Sequence, residues 1–227
     1  LANTVPNMIF DLVLGGIMTA TFIPVFVERL THDTERRAYR SISAVVTAAV
    51  LVLAGATALA FVGAPLVIDA FTVFSHTTSA MSQQQHDVAV SLLRWFAPQI
   101  FFYGLNSLWS VALNARRRFF AAAWAPALSN VVIIGSLLLV PSITSGVEPS
   151  LRDVIDSPRL QWVLGGGATL GIAVMALALL PAVLAAGIRY RPNFDFSHHA
   201  VRTLRTMSGW ALGYVVANQV ALVVVRN

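Results

Sequence analysis

Six apolar runs, each long enough to cross a bilayer, constrain this chain more than any other feature. They lie at roughly 5–27, 43–68, 88–113, 119–140, 162–188 and 207–225. A hydrocarbon core of about 30 Å takes about 20 helical residues at a rise of about 1.5 Å each. The spans of a β-barrel would be about half as long and strictly alternating. Helix is therefore the conformation in which each run satisfies its own backbone in lipid. The fold class that follows is all-α: a polytopic transmembrane helix bundle of six spans. Composition agrees, since only 11% of residues are charged against about 25% in a soluble domain.

The connections carry the second constraint. All 15 basic residues are Arg, and 13 of them lie between spans. In chain order the connections hold 4, 0, 3, 2 and 4. The first has Arg29, Arg36, Arg37 and Arg40, and the third Arg116, Arg117 and Arg118. The fourth sets Arg152 and Arg159 against Glu148, Asp153 and Asp156, and the fifth has Arg189, Arg191, Arg202 and Arg205. Cytoplasmic loops of membrane proteins collect Arg, so the odd connections are expected in the cytoplasm and both termini on the outer face. The pI of 10.7 is thus a matter of orientation and gives no case for nucleic acid. The absence of Cys excludes a disulfide framework and thiolate metal sites. The start at Leu1 lacks a basic n-region and a small-residue cleavage site, and the chain is expected to be a piece cut at both ends. Residues 147–160 read as a short surface helix.

Polar groups inside the spans are the candidate functional residues. A charge in hydrocarbon costs a few kcal/mol on insertion scales, so Asp11 and Arg94 either sit near an interface or face a wet interior. Asn7, Asn106, Asn130, Asn218 and Gln219 are expected to hydrogen-bond between helices. Pro24, Pro98, Pro126 and Pro181 interrupt four spans and are hinge or kink candidates. Gly167 with Gly171, and Gly209 with Gly213, share a helix face four residues apart and mark close packing. All five His residues are expected in loops, so a buried metal or acid/base site lacks ligands. No catalytic residue, metal ligand or cofactor is assigned, and an enzyme is not expected.

Several segments read together resemble the MurJ/MviN lipid II flippases. These are Ala2-Asn3-Thr4-Val5-Pro6-Asn7, Leu14-Gly15-Gly16 and Phe22-Ile23-Pro24-Val25-Phe26-Val27-Glu28. They continue with Leu92-Leu93-Arg94-Trp95-Phe96-Ala97-Pro98, Leu113-Asn114-Ala115-Arg116-Arg117-Arg118-Phe119 and Ala125-Pro126-Ala127-Leu128-Ser129-Asn130. Met207-Ser208-Gly209 and Asn218-Gln219 complete the set. The resemblance implies membership of the multidrug/oligosaccharidyl-lipid/polysaccharide exporter superfamily, with two helical lobes moving by alternating access. The six spans then correspond to about family helices two to seven. Residues 1–188 would form most of the N-terminal lobe, 189–206 a cytoplasmic crossover, and 207–227 the first span of the C-terminal lobe. Asn7 matches an asparagine associated with the family's outer gate, and Arg94 a frequent arginine of its fourth helix. Many members carry a basic pair where this chain has Phe10 and Asp11, so a direct pyrophosphate grip is not carried over to that stretch.

The expected function is translocation of lipid II across the bacterial plasma membrane without chemical conversion. The expected partners are lipid II, membrane lipids and cell-wall synthesis or division proteins. Alternatives are another exporter of the superfamily, such as a lipid-linked oligosaccharide flippase or a drug/cation antiporter, and a non-transporting scaffold for cell-wall enzymes. The substrate-path or gate candidates are Asn7, Asp11 and Arg94.

Overall fold

The computed structural model describes residues 35–74, 83–146, 149–188, 190 and 192–194, and no strand occurs among them. Helix α1 runs Glu35–Val62, α2 Ala64–Phe74, α3 Gln83–Ala115 and α4 Phe119–Leu137. Short helices follow: α5 Val140–Ile143, α6 Leu151–Asp156 and α7 Pro158–Gln161. A π-helical turn at Trp162–Gly166 then leads into α8 Gly167–Leu177 and α9 Leu180–Ala185.

Four stretches are long and apolar enough to cross a membrane: Ser43–Val62, Gln83–Ala115, Phe119–Ile143 and Pro158–Ala185. They match the second to fifth sequence runs; the first and sixth lie outside the described residues. Their surfaces are apolar where a soluble protein would be charged: Leu59, Phe120, Val131, Leu138 and Leu184 are exposed. A solvent of hydrocarbon accounts for that pattern, since lipid tails are as apolar as Leu.

Proline decides where these helices break. A proline at position i denies a donor to the carbonyl of i−4. Pro65 does so to Phe61, Pro141 to Leu137 and Pro181 to Leu177. A turn follows each freed carbonyl, at Gly63, 138–139 and 178–179. The second sequence run, expected to be continuous to Ile68, is divided at Gly63 for this reason. Pro98 and Pro126 lie inside the continuous helices α3 and α4.

The expected surface helix over 147–160 is two helices. Ser150 and Asp153 form a capping box on α6, while Ser157 caps α7 through Leu160 N–H, with Pro158 at its start. Val88, Val154 and Leu160 form a small core that pins both to α3.

Contacts fall into two compact units. One comprises residues 53–103 and 124–178; the other, among described residues, comprises 35–52, 104–123 and 179–194. Within the first, α3 and the fourth span run parallel at a constant offset. Ser91 Oγ donates to Gln161 Oε1 at 3.1 Å and Gln99 Nε2 to Thr169 Oγ1 at 3.2 Å. Between these pairs, Gly165 meets Trp95 so closely that a Cβ at 165 would lie 2.5 Å from that of Trp95. Gly167 and Gly171 face Ser136, Ile133 and the backbone of Ser129 on α4, which is the close packing their spacing indicates. Within the second unit, Thr47 Oγ1 donates to Ser43 O at 2.7 Å and accepts from Asn193 N–H at 3.1 Å. Tyr190 OH lies 3.0 Å from the same oxygen, so the chain following the fourth span is tied to α1.

Candidate functional site

Pro98 organises the most developed site among the described residues. It leaves the Arg94 carbonyl without a helical donor, within a helix that continues through it. From the neighbouring helix, Thr169 Oγ1 donates to Trp95 O, the next carbonyl along, at 2.7 Å and accepts from Gln99 Nε2 at 3.2 Å. Gln99 is 1% exposed, so its amide depends on this partner. A hydroxyl of one helix thus joins the backbone and a buried side chain of another beside the proline.

Beside this relay lies a cavity of about 680 Å³. Phe61 of α1 and Ser91, Arg94, Trp95, Pro98 and Phe102 of α3 form much of its wall. The π-helical turn and α8 complete it with Trp162, Gly166, Thr169, Leu170 and Ala173. Trp95 and Trp162 meet edge to face with centroids 6.2 Å apart. The π-helical turn presents Gly165 and Gly166 to Trp95, and single π turns recur where helices carry function.

Arg94 is exposed at this cavity and has no ion-pair partner among the described residues. The two lining hydroxyls are committed: Ser91 donates to Gln161 and Thr169 to Trp95. Of the remaining sequence candidates, Asn7, Asp11 and Pro24 lie outside the described residues. Pro98 shares the cavity with Arg94, Pro126 is exposed on α4, and Pro181 stands at the break before α9. Asn106 was expected to bond between helices, yet its buried Oδ1 has no partner; Asn130 is exposed.

His86 departs from the loop expected for it. Helix α3 starts at Gln83, so His86 stands in its first turn, with Nε2 3.0 Å from Asp69 Oδ1 and Nδ1 3.6 Å from Asp87 Oδ1. No cluster that could hold a metal ion occurs among the described residues. Sequence reasoning passed over Gln99, Thr169, Trp95 and Trp162. One signal was available: Gln99, a polar side chain in an apolar span directly after a proline, requires a buried partner.

Long helices with apolar outer faces, and polar groups matched across them near a proline, define a multi-pass helical membrane protein. The family model for the lipid II flippase MurJ matches residues 1–227, and the chain belongs to that family. It is 25% identical over 229 residues to the lipid II flippase MurJ of Burkholderia cenocepacia, covering 100% of this chain and 41% of that protein. It is 25% identical over 231 residues to a probable lipid II flippase MurJ of Vibrio cholerae, covering 97% and 40%. To the corresponding probable flippase of Haemophilus influenzae it is 24% identical over 224 residues, covering 97% and 41%. The chain therefore spans about two fifths of the length of the relatives it matches.

Proposed function

We propose that this chain is part of a flippase that carries lipid II, the undecaprenyl-pyrophosphate-linked peptidoglycan precursor, across the bacterial inner membrane. The observation that carries the reading is the family match over the full chain; four apolar membrane-length helices support it. Translocation of such an amphiphile requires a wet, partly cationic route for the pyrophosphate and sugars while the polyprenyl tail stays in lipid. The chain converts nothing chemically in this reading: it supplies scaffold helices, and rearrangement of helix packing does the work. Asn7, Asp11 and Arg94 are candidate contacts beside the lipid's route, and Pro24, Pro98, Pro126 and Pro181 candidate points of bending. The Arg-rich connections support a cytoplasmic side for the turn at Arg116–Arg118 and an outer side for the segment containing α6 and α7.

Depletion in the bacterium tests the function. Lipid II accumulating on the inner leaflet is the expected result. A normal leaflet distribution with mislocalised cell-wall enzymes would replace flipping by a scaffolding role.

A further inference from the structure

At the start of α3 an imidazole stands between two carboxylates that belong to different helices. His86 Nε2 lies 3.0 Å from Asp69 Oδ1 of α2, which is a hydrogen bond. On the other side Nδ1 lies 3.6 Å from Asp87 Oδ1 of α3 itself, and this nitrogen is buried without a hydrogen-bond partner. Either tautomer of a neutral imidazole carries one N–H, so one nitrogen must turn its lone pair towards a carboxylate. The imidazolium donates from both nitrogens and suits both neighbours at once. A helix N-terminus disfavours a cation, but its partial charge of about half a unit is outweighed by two full carboxylate charges, one of them in direct contact. Helix α6 packs on the same stretch of α3 through Val88 and Val154, and its charges are engaged elsewhere or stand off. Arg152 donates to Gln84 from Nε at 2.9 Å and Nη2 at 3.2 Å, with the amide oxygen facing the guanidinium. Asp153 accepts from Ser150, and Asp156 forms no ion pair with the imidazole. Asp87 also accepts from Gln83 Nε2 at 3.2 Å.

What the imidazole joins follows from the break at Gly63. Pro65 denies the Phe61 carbonyl a donor, so α2 is a separate helix of 11 residues and not the continuation of α1. We propose that His86, Asp69 and Asp87 form a proton-binding clasp. The charged imidazole holds α2 against the start of α3, and its neutralisation loosens that contact. Histidine changes charge between about pH 5 and 8, a range in which carboxylates ordinarily stay ionised. The clasp is therefore tight at the acidic end of the range and slack at the alkaline end. Asp69 and Asp87 are half or more exposed, so water and salt moderate the attraction and the switch is graded. Its action follows from the geometry between α2 and α3 and does not depend on lipid II translocation.

Hydrogen–deuterium exchange of the purified protein at pH 5.5 and pH 8, with a chelator present so that the proton is the ligand under test, decides the matter. Exchange over Ala64–Phe74 is normalised to that of α8 in the same sample, which cancels the chemical pH dependence of amide exchange. Normalised protection of α2 should be about two- to fivefold higher at pH 5.5, the scale of one exposed ion pair. His86→Gln supplies an uncharged donor and should hold protection near the wild-type value at pH 8 under both conditions. Asp87→Asn leaves the bond to Asp69 in place and should shrink the pH effect, because Nδ1 then faces an uncharged group. Asp69→Asn discharges the α2 side alone and should shrink it as well, and thermal unfolding at pH 8 checks that each variant is folded. Equal normalised protection of the wild type at the two pH values overturns the proposal. So does a pH effect undiminished in His86→Gln, which would assign it to another histidine, or one undiminished in both aspartate variants.

Discussion

Arg117 and Gly187 show how one residue sets the cost of ending a membrane helix. Both occupy left-handed backbone, with φ of 56° and 72°, and both close the same double hydrogen bond. Arg118 N–H reaches Leu113 O and Arg117 N–H reaches Asn114 O; Ile188 and Gly187 repeat this with Val183 and Leu184. Glycine adopts that conformation freely, whereas a side chain costs about 1–2 kcal/mol. Arg117 is kept there against its conformational preference, and its charge at the end of α3 gives a reason. Arg117→Gly is therefore expected to raise thermal stability in detergent by about 1 kcal/mol, while Gly187→Ala lowers it by a similar amount. A destabilised Arg117→Gly protein would contradict this account.

Thr169 acts at the same scale, because one hydroxyl serves both the Trp95 carbonyl and the Gln99 amide. Thr169→Val keeps the shape but takes this partner from the buried Gln99 amide and an added donor from the Trp95 carbonyl. Interhelical hydrogen bonds in membranes average about 0.6 kcal/mol and reach about 1.7, so the expected loss is about 1 kcal/mol. A double-mutant cycle with Gln99→Leu should recover part of it, since removing both partners avoids an unmet amide. Outside the membrane, the hydrogen bonds from the Ser150 side chain and backbone hold the Asp153 carboxyl below the usual carboxylate range. A depressed folded value means that its stabilisation is present above about pH 3.9, the unfolded value, and is lost as pH falls through the folded one. Amide exchange over α6 should rise on acidification through that window, and Asp153→Asn should remove the pH dependence.

At the scale of elements, glycine placement determines how closely the fourth span can approach its neighbours. A Cβ at Gly171 would lie 2.6 Å from Ile133 Cγ1 and 2.9 Å from the Ser129 carbonyl oxygen. The backbone oxygen cannot step aside as a side-chain end can. Gly171→Ala is expected to destabilise by about 1–3 kcal/mol, the usual cost of overpacking, whereas Gly135→Ala, with open space around it, should be close to neutral. Equal effects in a thermal unfolding assay would show that Gly171 does not set the approach. The Gly167 and Gly171 pair was legible from its spacing because two small residues on one face have few other uses in a membrane helix. The division of the second run at Gly63 was not, because hydropathy treats Pro65 as one residue in an apolar average and ignores the carbonyl it strands. His86 was misplaced for a related reason: the polar start Gln83-Gln84-Gln85 hides a helix that hydropathy places several residues later.

For the whole molecule, the alternation of Arg between connections gives a topology that cysteine labelling can check, since these 227 residues contain no Cys of their own. A Cys placed at Arg117 should react with a membrane-impermeant thiol reagent from the cytoplasmic side, and one at Ser150 from the outside. Labelling of both from the same side would overturn the orientation. Sequence by itself determined the class of solvent, the helical state of the four described apolar runs and the family. Each is fixed by properties that add along a chain: about 20 apolar residues span the hydrocarbon whatever they pack against, and segment order survives at 25% identity. Only the tertiary structure decided that Arg94 borders a slot with Trp95 and Trp162, and that Thr169 bonds Trp95 and Gln99 beside Pro98. Those facts depend on a register of 70 residues between two parallel helices. Register follows from the fit of glycines against side chains on another helix, which no single segment contains.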